Sequence, residues 1–167
     1  MSGPIRDTER VIVEARRYSQ AVRGDLRNGG TVADWCLVTS RTSSDIERLA
    51  NGDYHFLTAR CAEKIESALP ERLAEWLREA PRHDCARGEI PASVIVPVLA
   101  VATERYGGDV AAGEALGLSA RRLFEIRRQH GVDHTTADLV VTRTLGADAW
   151  LNDPRLRRWY FDTRSVF

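Results

Sequence analysis

Arg121, Arg122 and Arg128 fall in one short stretch, Ser119–Gln129. A guanidinium there can bridge O6 and N7 of a guanine, which is worth about 1–3 kcal/mol of base discrimination, or it can hold a phosphate. Glu125 can accept from a cytosine amino group, pair with an arginine, or stand solvated. Phe124 and Ser119 share the outward face of the same stretch. In the first half, Ser40, Thr42 and Ser44 offer hydroxyls to phosphate or base edges, with Arg41, Asp45 and Arg48 beside them. Helix N-termini at Thr39 and Ser119 would each present free N–H groups to a phosphate. This is the chemistry of binding duplex DNA. Catalytic patterns are lacking: no nucleophile elbow, phosphate loop or carboxylate pair is found, so an enzyme is not expected. His83-x-Cys85 and His130-x3-His134 have metal-like spacing. Gly131 interrupts the second pair and no cysteine pair completes either, so no metal or cofactor is expected, and structural or solvated roles are assigned.

The spacing around these residues repeats. Ala33 lies six residues before Thr39 and Ile46 seven after it; Gly113 and Ile126 flank Ser119 at the same distances. Two helices crossing over a tight turn need a small residue where they touch, hence Ala33 and Gly113. The turn needs a residue tolerant of left-handed backbone, which Gly117 supplies. Apolar Val38 with Ile46, and Leu118 with Ile126, would pin each pair to a core. The second helix then turns its other face outward, at a width that fits the major groove. The first unit departs from this pattern at Leu37, where glycine is usual, and at Ser43, where an apolar residue is usual.

The elements that must hold these residues read as helices. Apolar spacing is mostly three or four, and strand signals are nearly absent. Helices are expected over residues 8–27, 32–36, 40–50, 58–68, 71–79, 93–106, 109–116, 119–129 and 135–145, with a last one from Pro154 through Tyr160. Thr39, Thr58, Asp109 and Ser119 are the expected N-caps, and Thr135 with Asp138 resembles a capping box. Pro97 must sit in or near a first turn to avoid a kink. Trp35, Trp76, Trp150 and Trp159 sit among apolar neighbours and read as core anchors. Arg155, Arg157 and Arg158 form a solvated face or touch backbone phosphate. Residues 81–92 hold two prolines, a glycine and no apolar period, which suggests a linker. The expected fold is all-α: two small helical domains, residues 1–80 and 93–167, each with a helix-turn-helix, joined by that linker.

Composition sets the limits. The 167 residues suffice for two small domains, and 43% apolar residues can build a core. Formal net charge is zero, with residues 1–80 at −1 and residues 81–167 at +1, so a DNA-binding face needs local segregation of charge. Lys64 is the only lysine, a bias that function or a GC-rich genome explains equally well. Three widely spaced cysteines form no disulfide framework and fit a reducing cytoplasm. Met1–Arg10 has no apolar run that would make a signal peptide, and the run from Ile90 to Ala102 is too short to span a bilayer.

The stretches TVADWCLVTSRTSSDIERLANG and GGDVAAGEALGLSARRLFEIRRQHGVDHTTADLVVTRTLG resemble helix-turn-helix proteins of actinobacterial phages and prophages. The segment TADLVVTRTLGADAWLNDPRLRRWYF is similar to the tail that often follows the recognition helix there. Tandem domains at this length resemble the immunity repressors of temperate mycobacteriophages. The likeness covers most of residues 30–162. It implies lysogeny maintenance in a bacterial host cytoplasm, repression of an early lytic promoter, and monomeric binding to many short asymmetric sites.

Two reading heads in one chain also bear on symmetry. A single-headed protein usually dimerises on a palindrome, whereas a tandem chain can read two unlike half-sites alone. A tether makes the second contact intramolecular, at a local concentration of roughly mM for a short linker. A monomer on operator-type duplex DNA is therefore expected, with a homodimer left open and no membrane partner. Two other readings remain: an excision or recombination-directionality factor, and a helical interaction module whose arginine-rich helix meets an acidic protein surface.

Overall fold

The computed structural model describes residues 11–162 together with 166 and 167. The segment Met1–Arg10, read for a signal peptide and for the start of the first helix, lies outside the described residues. Among the described residues the protein is mostly helical, in line with the helical expectation, and five short strands are added to it. Each strand has only two or three residues, too few for an alternating pattern to be legible in sequence. The chain divides into two compact units between His83 and Asp84, and the C-terminal Val166 and Phe167 belong to the first. The proposed linker is therefore structured: it contains two strands and the start of a helix.

In the first unit, β1 (Ile12–Glu14) leads into α1 (Arg16–Arg27), α2 (Val32–Thr39), α3 (Ser43–Ala50), β2 (Phe56–Thr58), α4 (Ala59–Ser67), α5 (Glu71–Arg78) and β3 (Arg82–His83). Strand β1 lies between β2 and β3 in an antiparallel sheet, with Val13 opposite Leu57 and Arg82. The helix expected from residue 8 thus begins only after β1, whose Ile12 and Val13 are buried. Val166 bridges Phe56 in parallel, the Phe167 amide donates to the Phe56 carbonyl (3.0 Å), and Thr58 N donates to the Phe167 carbonyl (3.0 Å). The Phe167 ring is buried in the core with Val13, Tyr18, Val22, Ile46, Leu57 and Ile65. Trp35 is anchored there too, its indole N–H donating to Asp25 (2.8 Å).

The second unit runs in the same order: β4 (Glu89–Pro91), α6 (Ala92–Tyr106), α7 (Asp109–Leu116), α8 (Ala120–Arg128), β5 (Gly131–Asp133) and α9 (His134–Leu145). It ends in two short helices, α10 (Ala149–Asn152) and α11 (Pro154–Arg157), and a π-helical turn, Arg158–Asp162. Its two strands pair as β1 and β2 do: Glu89, Ile90 and Pro91 face Asp133, Val132 and Gly131, just as Ile12, Val13 and Glu14 face Thr58, Leu57 and Phe56. Thr58 and Asp133 each then cap the following helix, accepting from the backbone N–H of Cys61 and Thr136. The expected cap at Thr135 is thereby replaced by Asp133.

A difference between the sheets has a local cause. The Glu14 amide donates to the Pro81 carbonyl beside β3 (3.0 Å). Pro91 stands in Glu14's place and has no N–H to offer a third strand. At Gly131 a Cβ would meet the Glu89 carboxylate at 2.6 Å and the Cys85 Cβ at 3.0 Å. The core of this unit gathers Ile90, Ile95, Leu99, Leu116, Leu123 and Val140 with Trp150, whose indole N–H donates to Asp138 (2.9 Å). Pro97 sits in the second turn of α6 rather than the first, on its exposed side. Among the described residues, no helix is long and apolar enough to cross a membrane.

Candidate nucleic-acid interface

Each unit presents a pair of short helices over a tight turn. In the second unit the turn is made by Gly117 (φ +73°), Leu118 and the N-cap Ser119, whose side chain accepts from Arg122 N at 3.1 Å. The Leu118 amide donates back to the Gly113 carbonyl (2.8 Å), and any Cβ on Gly113 would collide with the Leu118 carbonyl. Gly113 therefore has the small-residue role read from its spacing. Leu123 and Ile126 are fully buried and hold α8 to the core, so the opposite face points outward.

The first unit has the same geometry in a different register. Its turn is made by Ser40 (φ +57°), Arg41 and the N-cap Thr42, which accepts from Asp45 N at 3.3 Å. Ser40 thus takes the place of Gly117 and Thr42 that of Ser119, while buried Ile46 and Leu49 take those of Leu123 and Ile126. Thr39, expected to be the cap, is the last residue of α2 and only 2% exposed, with its hydroxyl donating to the Trp35 carbonyl (2.7 Å). It has no free helix end to offer. Ala33, expected at the helix contact, is exposed. The left-handed turn residue here is a serine, so no glycine marks the register in the sequence.

The expected contact residues divide by what they touch. On α3, Ser44 is exposed, and Ser40 and Thr42 are exposed in the turn before it. Arg41 turns inward, its guanidinium 5.0 Å from the Phe167 ring and 3.8 Å from the Cys61 sulfur. Asp45 accepts from the Tyr54 hydroxyl (3.0 Å), and Arg48 stacks on the Tyr54 ring (4.6 Å) while donating to its oxygen (3.3 Å). Burial pushes the Asp45 carboxyl up, but the Tyr54 and Thr42 hydrogen bonds outweigh it and hold the group below the usual range.

On α8, Arg121 is 88% exposed and lies 3.3 Å from Glu125. Arg122 is different, at 27% exposed. Its guanidinium donates to Asp133 (3.0 Å), Gln129 (3.3 Å) and Thr136 (3.4 Å), which ties α8 to β5 and α9. Its first role is that of a strut. Asp133, raised by burial, is lowered further by the Thr136 hydrogen bonds and the Arg122 charge, and stays below the usual carboxylate value. Phe124 stands outside the core, 52% exposed, with the Arg128 guanidinium 4.5 Å from its ring centre.

Three site features were not expected from sequence. Arg127 binds Asp109 through both guanidinium nitrogens (2.8 Å each), clamping α8 to the start of α7. Tyr54 organises the outward face of α3 from the loop before β2. Arg143 of α9 lies against the second turn, since a Cβ on Gly117 would come within 2.7 Å of its guanidinium. A fourth arginine in the stretch Ser119–Gln129 was a local signal that could have drawn attention to Arg127, whereas Tyr54 and Arg143 lie in other elements and gave none.

The two outward faces carry different charge. The segment 31–51 holds two arginines against three acids, and the segment 108–129 holds four against three. Two of the histidines with metal-like spacing lie against carboxylates. His83 contacts Glu14 (3.2 Å), His130 contacts Asp84 (3.3 Å), and burial with nearby Glu89 and Asp84 pushes the Cys85 thiol up to about 12. Among the described residues, no group of three or more potential ligands converges. No family model matches the chain, and comparison with curated proteins and with solved structures finds no match.

Proposed function

We propose that this chain is a sequence-specific double-stranded DNA-binding protein that uses two helix-turn-helix heads, α2–α3 and α7–α8. The observation that carries the reading is α8: its N-terminus is capped by Ser119, its inner face is locked by Leu123 and Ile126, and its outward face displays Arg121, Phe124 and Arg128. A helix held this way can enter the major groove N-terminus first. Arg121 is the base-reading arginine, and Arg143 beside the turn is placed for a backbone phosphate. Arg122 supports the helix from behind.

The heads are unlike, which favours an asymmetric site read by one chain. Ser44 and Glu47 of α3 stand where α8 has Arg121 and Phe124, and the Asp45/Arg48 pair reverses the charges of Arg122/Glu125. The α7–α8 head supplies the stronger attraction to DNA, and the α3 face supplies hydroxyls. In a bacterial cytoplasm this activity suits a transcriptional repressor of a temperate phage or prophage that maintains lysogeny.

Selection of bound duplexes from a random pool tests the proposal. Enrichment of one non-palindromic sequence, bound as a 1:1 complex with steep salt dependence, is expected. A stable dimer on a palindrome would overturn the monomer reading. Salt-insensitive, sequence-blind behaviour would overturn DNA recognition itself.

A further inference from the structure

We propose that Phe124 is a thymine reader, recognising the 5-methyl group of thymine in the major groove. The inference rests on the DNA-reading role of α8 and gives that helix a base preference. Phe124 is large, apolar and half out of water, on a helix whose inner face already has Leu123 and Ile126 to fill the core. Ala120, Phe124 and Arg128 are spaced four apart and form one outward row, with Ala120 and Arg128 also exposed. The Arg128 guanidinium stacks 4.5 Å from the centre of the ring and limits its swing. Arg121, 88% exposed, lies on the adjoining row.

This combination fits a polyanion that carries an apolar spot. Cationic side chains on both sides of the ring attract the duplex backbone. Within the major groove, thymine is the base that presents a methyl group, and an apolar side chain is the group that recognises it. A protein partner with an apolar pocket would have to bury Arg121 and Arg128 as well. In α3 the corresponding place holds Glu47, so the thymine preference belongs to the second head alone.

The test uses the full chain and the duplex enriched from the random pool. Each thymine is replaced in turn by deoxyuridine, which removes only the methyl. One thymine is expected to show about a fourfold loss of affinity, the size expected for exposing one buried methyl. Phe124→Ala should weaken the thymine duplex by a similar factor and show no further loss with uracil, and Phe124→Leu should restore part of the difference. Unchanged thermal melting confirms that these variants fold. Specific binding that is blind to uracil at every position, or Phe124→Ala that remains uracil-sensitive, would overturn the thymine role while leaving DNA recognition intact. A pool that yields no enriched sequence would remove the underlying DNA reading and this inference with it.

Discussion

Gly113 and the Leu118 carbonyl approach so closely that no Cβ fits between α7 and the turn that follows it. That contact sets the angle at which α8 leaves the turn, and so the direction in which Arg121 and Phe124 point. Gly113→Ala should therefore destabilise the second unit by about 1–3 kcal/mol, in the range of overpacked sites, and weaken binding to the selected duplex. Gly24 is the contrasting case, since it lies within α1 with ordinary φ and open space around it. Gly24→Ala should stabilise by roughly 0.5–1 kcal/mol. Urea unfolding of both variants measures the opposite signs.

Arg121 and Arg122 are neighbours with separate tasks. Arg121→Ala should leave urea unfolding unchanged and, if Arg121 reads a guanine as proposed, reduce specific affinity about 10- to 100-fold. Arg122→Ala should lower stability first, because Asp133, Gln129 and Thr136 lose their shared donor. Equal effects of both variants on stability would contradict this division.

Acid should loosen both units through Asp45 and Asp133, whose carboxyls sit below their ordinary value in the folded chain. The unfolded chain then binds more protons than the folded one, so stability rises with pH. Their contribution is complete above the unfolded value of about 4 and is lost as pH falls through the lower folded values. Asp133→Asn should be less stable than the parent at pH 7 and lose less on moving to pH 3. Urea midpoints at the two pH values report this difference.

Phe167 is a core residue of the first unit, packed edge-on to Tyr54 (5.4 Å) beneath Arg41. Phe167→Ala should cost roughly 3–5 kcal/mol, the range for truncating a buried aromatic. Amide exchange should accelerate in α3 and β2 and change little in α8. Uniform acceleration would contradict the assignment of Phe167 to the first unit.

How much of this was legible in the sequence depends on the range of the forces involved. Helix existence is a local matter of apolar spacing and caps, and the helices with strong periodicity, such as α4 and α5, lie close to where the spacing put them. The turn at Gly117 was legible because glycine is the residue that adopts φ +73° without strain. At Ser40 the same left-handed turn is held by its surroundings, with Thr39 and Trp35 buried on one side and Ile46 and Leu49 on the other. Without a glycine to mark it, the sequence placed the first cap three residues early, at Thr39 instead of Thr42.

Strands of two or three residues exist only through their partners, so neither the sheets nor the recruitment of Phe167 had a local signature. The two neighbouring arginines of α8 show the same limit. By itself the sequence determined that Arg121 and Arg122 would share a short capped helix. Only the tertiary structure decided that one faces water and the other braces the helix, because Asp133 and Thr136 arrive beside Arg122 from later elements. Local backbone and spacing rules fix the helix, whereas the role of each side chain on it is fixed by groups that only folding brings near.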